Sequence, residues 1–221
     1  MHADYWLESW QRDHKPFHQT RINSHLQTFW PRLDPGPGRK VFVPLCGQSL
    51  DLLWIESRDR DVLGVELAPE PLSALFADSG RQPEILHEPP FRTWKSGKLE
   101  LLQGDFFAVD PERITGCGAW YDRAALPALP EDLRRQYAEH ATRLAPPGCR
   151  MLLVAPEYNP AEMAGPPFTI TDAEVHERFA AHWTVECLVD DEVQVANRFA
   201  QRGLTRLRER VYLLERRPAG S

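Results

Sequence analysis

No stretch of this chain approaches the roughly 20 consecutive apolar residues that a helix needs to cross a bilayer, although hydrophobic residues make up 42% of its 221 positions. A helical membrane span is excluded. A secretory leader is not expected either, because His2, Asp4 and Glu8 interrupt any apolar run at the start. Cysteine is scarce, and Cys46, Cys117, Cys149 and Cys187 never form a C-x-x-C pair. That spacing gives no zinc site and fits reduced thiols in a cytoplasmic protein. His14 and His18 have the spacing of two metal ligands on one helical face, but Pro16 between them breaks such a helix, so no metal is expected. Basic excess is missing too. A net charge of −6 counts against nonspecific attraction to nucleic acid or anionic membrane. Arg206, Arg208, Arg210, Arg216 and Arg217 cluster late, yet they interleave with Leu207, Glu209, Val211 and Leu213, the pattern of a strand with one wet face.

Signatures of covalent and phosphate chemistry are also absent. There is no G-x-S-x-G elbow and no G-x-x-x-x-G-K-[ST] loop. Cys46 has no histidine paired with it in sequence and reads as structural. The most telling shortage is of glycine in one loop. Lys40-Val-Phe-Val-Pro-Leu-Cys-Gly47 is followed, about twenty residues later, by Gly64-Val-Glu66, which reads as buried strand, tight turn, helix and second strand ending in an acid. This is the front half of a nucleoside-binding α/β unit. A dinucleotide site carries three glycines in that turn, two of them to admit a pyrophosphate and to pack helix against strand. A cofactor without phosphates needs neither, and S-adenosylmethionine (SAM) is an adenosine cofactor of that kind. The same segment also fits any βαβ unit in which Glu66 is a solvated strand end.

Along the chain, residues 4–13 have helical spacing with Asp4 as N-cap and Trp6 and Trp10 on one face. A short helix over 22–30 closes at Pro31. Strands follow near 40–44 and 61–66, separated by a helix over 48–58 that carries Leu50, Leu53 and Trp54 inward. A helix over 69–79 starts at Pro69 and stops at Gly80. Residues 81–98, with Pro83, Pro89 and Pro90, read as loop with one short strand at most. Strands at 98–102 and 119–122, a helix over 131–144, a strand at 150–155, a helix from the Thr171-x-x-Glu174 capping box to 181, and strands at 185–189 and 207–214 complete the order. The expectation is an α/β, Rossmann-like single domain over 1–221. It would have a mostly parallel seven-stranded sheet, helices on both faces, a helical lid over 1–33 and a core over 38–216.

Ligands of open α/β sheets sit beyond the carboxyl ends of the strands. There Glu66 can accept two ribose hydroxyls. Asp105 can accept an adenine amino group with Phe106 covering the ring, or it is simply a turn residue after Gly104. Trp6 and Trp10 are either core packing or an aromatic wall toward a sulfonium. Arg123 can hold a substrate's negative charge, favouring a thiolate, or pair with Asp122, which could itself take a proton.

Val43-Pro-Leu-Cys-Gly-Gln48, Phe17-His18-Gln19, Val65-Glu66, Tyr121-Asp-Arg-Ala124 and Gly165-Pro-Pro-Phe168 together closely resemble the thiopurine S-methyltransferase family, its bacterial members above all. The resemblance runs from Trp6 to Leu214 and implies a class I SAM-dependent methyltransferase, monomeric and cytoplasmic. It implies cofactor contacts at Trp10, Leu45 with the Gly47 turn, Glu66, Arg123 and the Asp105–Phe106 backbone, and an acceptor side lined by Phe17, Arg123 and Arg198. Gln48 departs from the lysine of many relatives. The implied reaction is in-line displacement at the SAM methyl group by an aromatic or heterocyclic thiol, with S-adenosylhomocysteine (SAH) leaving. Inorganic selenium or tellurium species, halide or thiocyanate are alternative acceptors. A NAD-dependent oxidoreductase is disfavoured by the missing glycines, and a non-catalytic SAM-binding protein is the third possibility.

Overall fold

The computed structural model describes residues 3–12 and 18–218. Phe17, with His14 and Pro16, lies outside them. By its internal contacts the chain divides into two compact units, Met1–Tyr121 and Asp122–Ser221.

The first unit contains α1 (Ala3–Gln11), α2 (Ser24–Leu33), β1 (Lys40–Val43), α3 (Leu50–Ser57), β2 (Asp61–Glu66), α4 (Pro69–Asp78), β3 (Glu84–Glu88), β4 (Phe91–Ser96), β5 (Leu99–Gln103) and a 3₁₀ turn at Phe106–Ala108. Its last strand is β6 (Cys117–Arg123), whose final two residues open the second unit. These strands are ordered β3-β4-β5-β2-β1-β6. β1 pairs in parallel with β2 and β6, and β2 with β5. Val41, Phe42 and Val43 in β1 and the run Val62–Glu66 in β2 are all buried, as strands covered on both faces must be. Gly64 is required where it stands, since a Cβ there would lie 2.7 Å from Leu101 and 3.0 Å from the Cys46 sulfur.

The second unit holds α5 (Ala125–Ala128), α6 (Glu131–Leu144), β7 (Arg150–Glu157), α7 (Asp172–Phe179), β8 (Trp183–Val193), α8 (Asn197–Ala200) and β9 (Leu207–Arg216). β9 lies between β7 and β8 and is antiparallel to both. The capping box forms as expected, with the Glu174 N–H donating to Thr171 Oγ1 at 3.1 Å.

The α/β class stands, but the strand count and pairing differ from expectation. The described residues form nine strands, not seven, and the pairing is mixed rather than mostly parallel. Residues read as loop on the strength of their prolines are a hairpin. Pro89 and Pro90 sit in the turn between β3 and β4, and Pro83 precedes β3, so none removes a ladder hydrogen bond. Pro31 lies inside α2 and does not close it. The carbonyl that loses its N–H partner belongs to Gln27, one turn earlier in an exposed residue. In α3 the buried residues are Asp51, Leu52 and Ile55, with Leu50, Leu53 and Trp54 only half-buried. Asp51 can be buried because its carboxylate accepts from the Asn23 N–H at 2.9 Å and the Tyr121 hydroxyl at 3.0 Å. No helix among the described residues is long and apolar enough to cross a membrane.

Candidate active site

β1 runs into a turn with two residues in the left-handed region, Leu45 at φ +45° and Gly47 at φ +52°. For leucine that conformation costs about 1 kcal/mol or more, so the surroundings must hold it. Part of the holding is visible. The Cys46 N–H donates to the Val65 carbonyl at 2.9 Å, and the Gly47 N–H donates to Glu66 Oε2 at 3.0 Å. The other carboxylate oxygen accepts from the Ala68 N–H at 2.9 Å. Glu66 is 6% exposed. Burial pushes its carboxyl up to about 7, with the backbone N–H bonds pulling back and neighbouring Glu70 adding to the rise. Far from being a solvated strand end, Glu66 is aimed at the glycine turn.

Trp10 closes over that turn, for a Cβ on Gly47 would meet the indole Cζ2 at 3.2 Å. The end of β5 is tied in through the Gly104 N–H, which donates to the Glu66 carbonyl at 2.9 Å. Asp105, next in the chain, is exposed and caps the 3₁₀ turn by accepting from the Phe107 N–H at 2.9 Å. The Phe106 ring is buried between Phe42 and Trp120, at centroid distances of 6.4 and 6.3 Å. Its ring is part of the core packing.

Two features of this end had no local signal in the sequence. Gln48 is buried and donates from Nε2 to Asp78 Oδ2 at 2.6 Å, leaving its own carbonyl oxygen without a partner. Glu70 likewise buries an unpartnered Oε2. Cys46 is buried with its thiol pushed up by desolvation, the opposite of an activated nucleophile.

In the second unit, Asp122 is fully buried. Burial raises its carboxyl to about 6, against the pull of its hydrogen bonds to the Tyr137 hydroxyl and the α5 backbone. Arg123 is half-buried at the strand end. Arg198, on α8, is exposed and lies over the Phe199 ring at 4.8 Å. Desolvation, and then the charge of Arg123, lower its pKa, so the two guanidiniums are close enough to feel each other. Two such cations together attract an anion. The Gly165–Phe168 segment is held by Arg202, which donates to the carbonyls of Pro166 at 2.7 Å and Gly165 at 3.0 Å. No group of three potential metal ligands occurs among the described residues.

The family described as thiopurine S-methyltransferase matches this chain over residues 1–217. The chain belongs to that family. It is accordingly a methyltransferase, and its cofactor is SAM. Proteins named thiopurine S-methyltransferase from Azotobacter vinelandii and Pseudomonas paraeruginosa are 44% and 45% identical to it, each over 98% of this chain and 100% of their own length. Among solved structures, a 1,6-didemethyltoxoflavin N1-methyltransferase from Burkholderia thailandensis, with SAH bound, has a TM-score of 0.62 at 16% identity, covering 98% of this chain and 87% of that one. That likeness concerns the methyltransferase fold.

The residues present fit SAM. The turn from Val43 to Ser49 contains no basic side chain to meet a phosphate. Its glycine lies under an indole, and its backbone is bonded to a buried acid.

Proposed function

We propose that this chain methylates the sulfur of an aromatic or heterocyclic thiol of thiopurine type, working as a cytoplasmic monomer on a small-molecule acceptor. The observation that carries this reading is the match to this family over residues 1–217, with relatives of that name 44% and 45% identical over 98% of the chain. When bound, SAM supplies a methyl group on a sulfonium, already activated for in-line displacement, with SAH as the product.

The chain's own residues do the rest. Glu66, its carboxylate plane fixed by the Gly47 and Ala68 N–H groups, accepts the two ribose hydroxyls. Leu45 and Gly47 present the turn backbone, and Trp10 sets an indole face toward the cationic end of the cofactor. Asp105 and the Phe106 backbone take the adenine edge. Arg123, at the end of β6, favours the ionised thiol, and Arg198 adds a second positive charge on the acceptor side. An aromatic heterocyclic thiol is partly ionised near neutral pH, so positioning and desolvation supply most of the rate.

The test is methyl transfer from labelled SAM to a panel of a thiopurine, an aryl thiol, selenite, tellurite, iodide and thiocyanate, with Arg123→Ala beside the parent. The expected result is turnover on the thiols, cut about a hundredfold in Arg123→Ala while SAH affinity changes by less than about fivefold. Equal losses in SAH affinity and turnover would remove Arg123 from the acceptor side. Turnover confined to the inorganic species would replace the acceptor class.

A further inference from the structure

We propose that Tyr137 and Asp122 form a positioning pair that holds the turn carrying Arg123, and that Asp122 does not itself accept the acceptor's proton. The inference rests on the acceptor role given above to Arg123. It starts from the backbone. Directly after Arg123 the chain turns through Ala124, a non-glycine residue at φ +84°, a conformation that persists only where its surroundings fix it. Asp122 and the start of α5 do this. Asp122 Oδ1 accepts from the N–H groups of Ala125 at 3.1 Å and Leu126 at 3.2 Å, two donors that a helix start otherwise leaves without partners. The carboxylate thereby brackets Arg123 and Ala124 from both sides in sequence.

The opposite oxygen is taken as well. Tyr137, fully buried on α6, donates its hydroxyl to Asp122 Oδ2 at 2.7 Å, which ties the turn to the longest helix of the second unit. The groups that face Asp122 are thus the Tyr137 hydroxyl from α6 and two backbone N–H groups from α5. All three are donors here, and the ionised carboxylate accepts from all of them as they stand. With no exposed surface and both oxygens engaged, Asp122 cannot reach a thiol. Protonation near pH 6, which burial favours, would instead add a hydrogen among these donors and re-sort the hydrogen bonds of the turn that carries Arg123. The cofactor residues Trp10, Gly47 and Glu66 belong to the other unit, so the effect should register on the acceptor and not on the cofactor.

The experiment uses full-length Asp122→Asn and Tyr137→Phe, with 6-mercaptopurine as acceptor from pH 5.5 to 8.5 and SAH calorimetry at each pH. Parent-to-variant rate ratios cancel the ionisation of the thiol itself. Asparagine keeps an acceptor for the α5 N–H groups and can turn its amide toward the tyrosine oxygen. Asp122→Asn is therefore expected to keep kcat at pH 8 within about tenfold of the parent, and to lose less than the parent as pH falls through about 6. Tyr137→Phe is expected to raise the acceptor KM about tenfold, the effect of one buried hydrogen bond, with SAH affinity within about twofold of the parent. Three results would overturn the proposal: abolition of transfer by Asp122→Asn at every pH with SAH binding intact, which would make Asp122 the base; unchanged KM and kcat in Tyr137→Phe; or parallel loss of SAH binding in both variants. Loss of thiol methylation by the parent would instead reject the acceptor reading on which the pair depends.

Discussion

Burial raises the Glu66 carboxyl to about 7, so near neutral pH part of the protein carries a proton there before any ligand arrives. Accepting two ribose hydroxyls is a task for the ionised form, because a protonated oxygen is a donor. Cofactor binding and proton release are then linked. With a pKa of about 7, SAH should bind about tenfold more weakly at pH 6 than at pH 8. Calorimetry in two buffers of different ionisation enthalpy should find close to one proton released per SAH at pH 6 and almost none at pH 8. Affinity that stays flat over this interval would show that the carboxyl binds its ligand without ionising. The place of Glu66 is legible from the chain because its signals are local: an apolar run, an isolated turn glycine and an acid at the end of the next strand. The Tyr137–Asp122 bond is not. Its partners are fifteen residues apart, and Tyr137 falls on the apolar face of its helix like any core aromatic.

Elements with a clear apolar spacing or a capping box read well, and those with a proline inside the helix or in the hairpin turn read badly. α6 spans Glu131–Leu144, marked by its apolar spacing alone, and α7 starts after Thr171, marked by its capping box. The β3–β4 hairpin and the far end of α2 were hidden because proline signals a break without saying on which side of it the element lies. In α2 the structure gives a sign that sequence alone does not. Pro31 sits within the helix, and the Asp34 N–H still donates to the Trp30 carbonyl at 2.8 Å beyond it. Pro31→Ala restores an N–H one turn after Gln27 and should stabilise the protein by about 1 kcal/mol. That is less than the ~3 kcal/mol of a mid-helix proline, because the site is near the helix end and Gln27 is exposed. Urea unfolding of the variant checks this. A lower midpoint would mean that proline's restriction of the unfolded chain outweighs the missing bond.

Over the whole molecule, each compact unit buries one acid whose pKa is raised, Glu66 to about 7 and Asp122 to about 6. For such a group the protonated form is the one the fold prefers. Its stabilising effect is complete below the unfolded carboxyl range near 4 and is lost as pH rises through the folded value. Acids paired near the surface act the other way. Glu88, beside Thr93 and Arg113, and Glu192, beside Arg206, are held below their usual range, so their contribution appears above about pH 4.5 and disappears in acid. These opposite slopes place the stability maximum near pH 5. Between pH 5 and 8 the unliganded protein should lose stability, by at most about 3 kcal/mol for each buried acid. Saturating SAH should flatten that decline in the first unit, because a ligand that takes the ionised Glu66 stabilises the form that burial disfavours. Urea denaturation at pH 5, 6, 7 and 8, with and without SAH, measures both slopes. A midpoint that climbs steadily from pH 5 to pH 8 without ligand would mean that these carboxyls ionise freely inside the fold. The proton linkage argued for cofactor binding would then be lost with it.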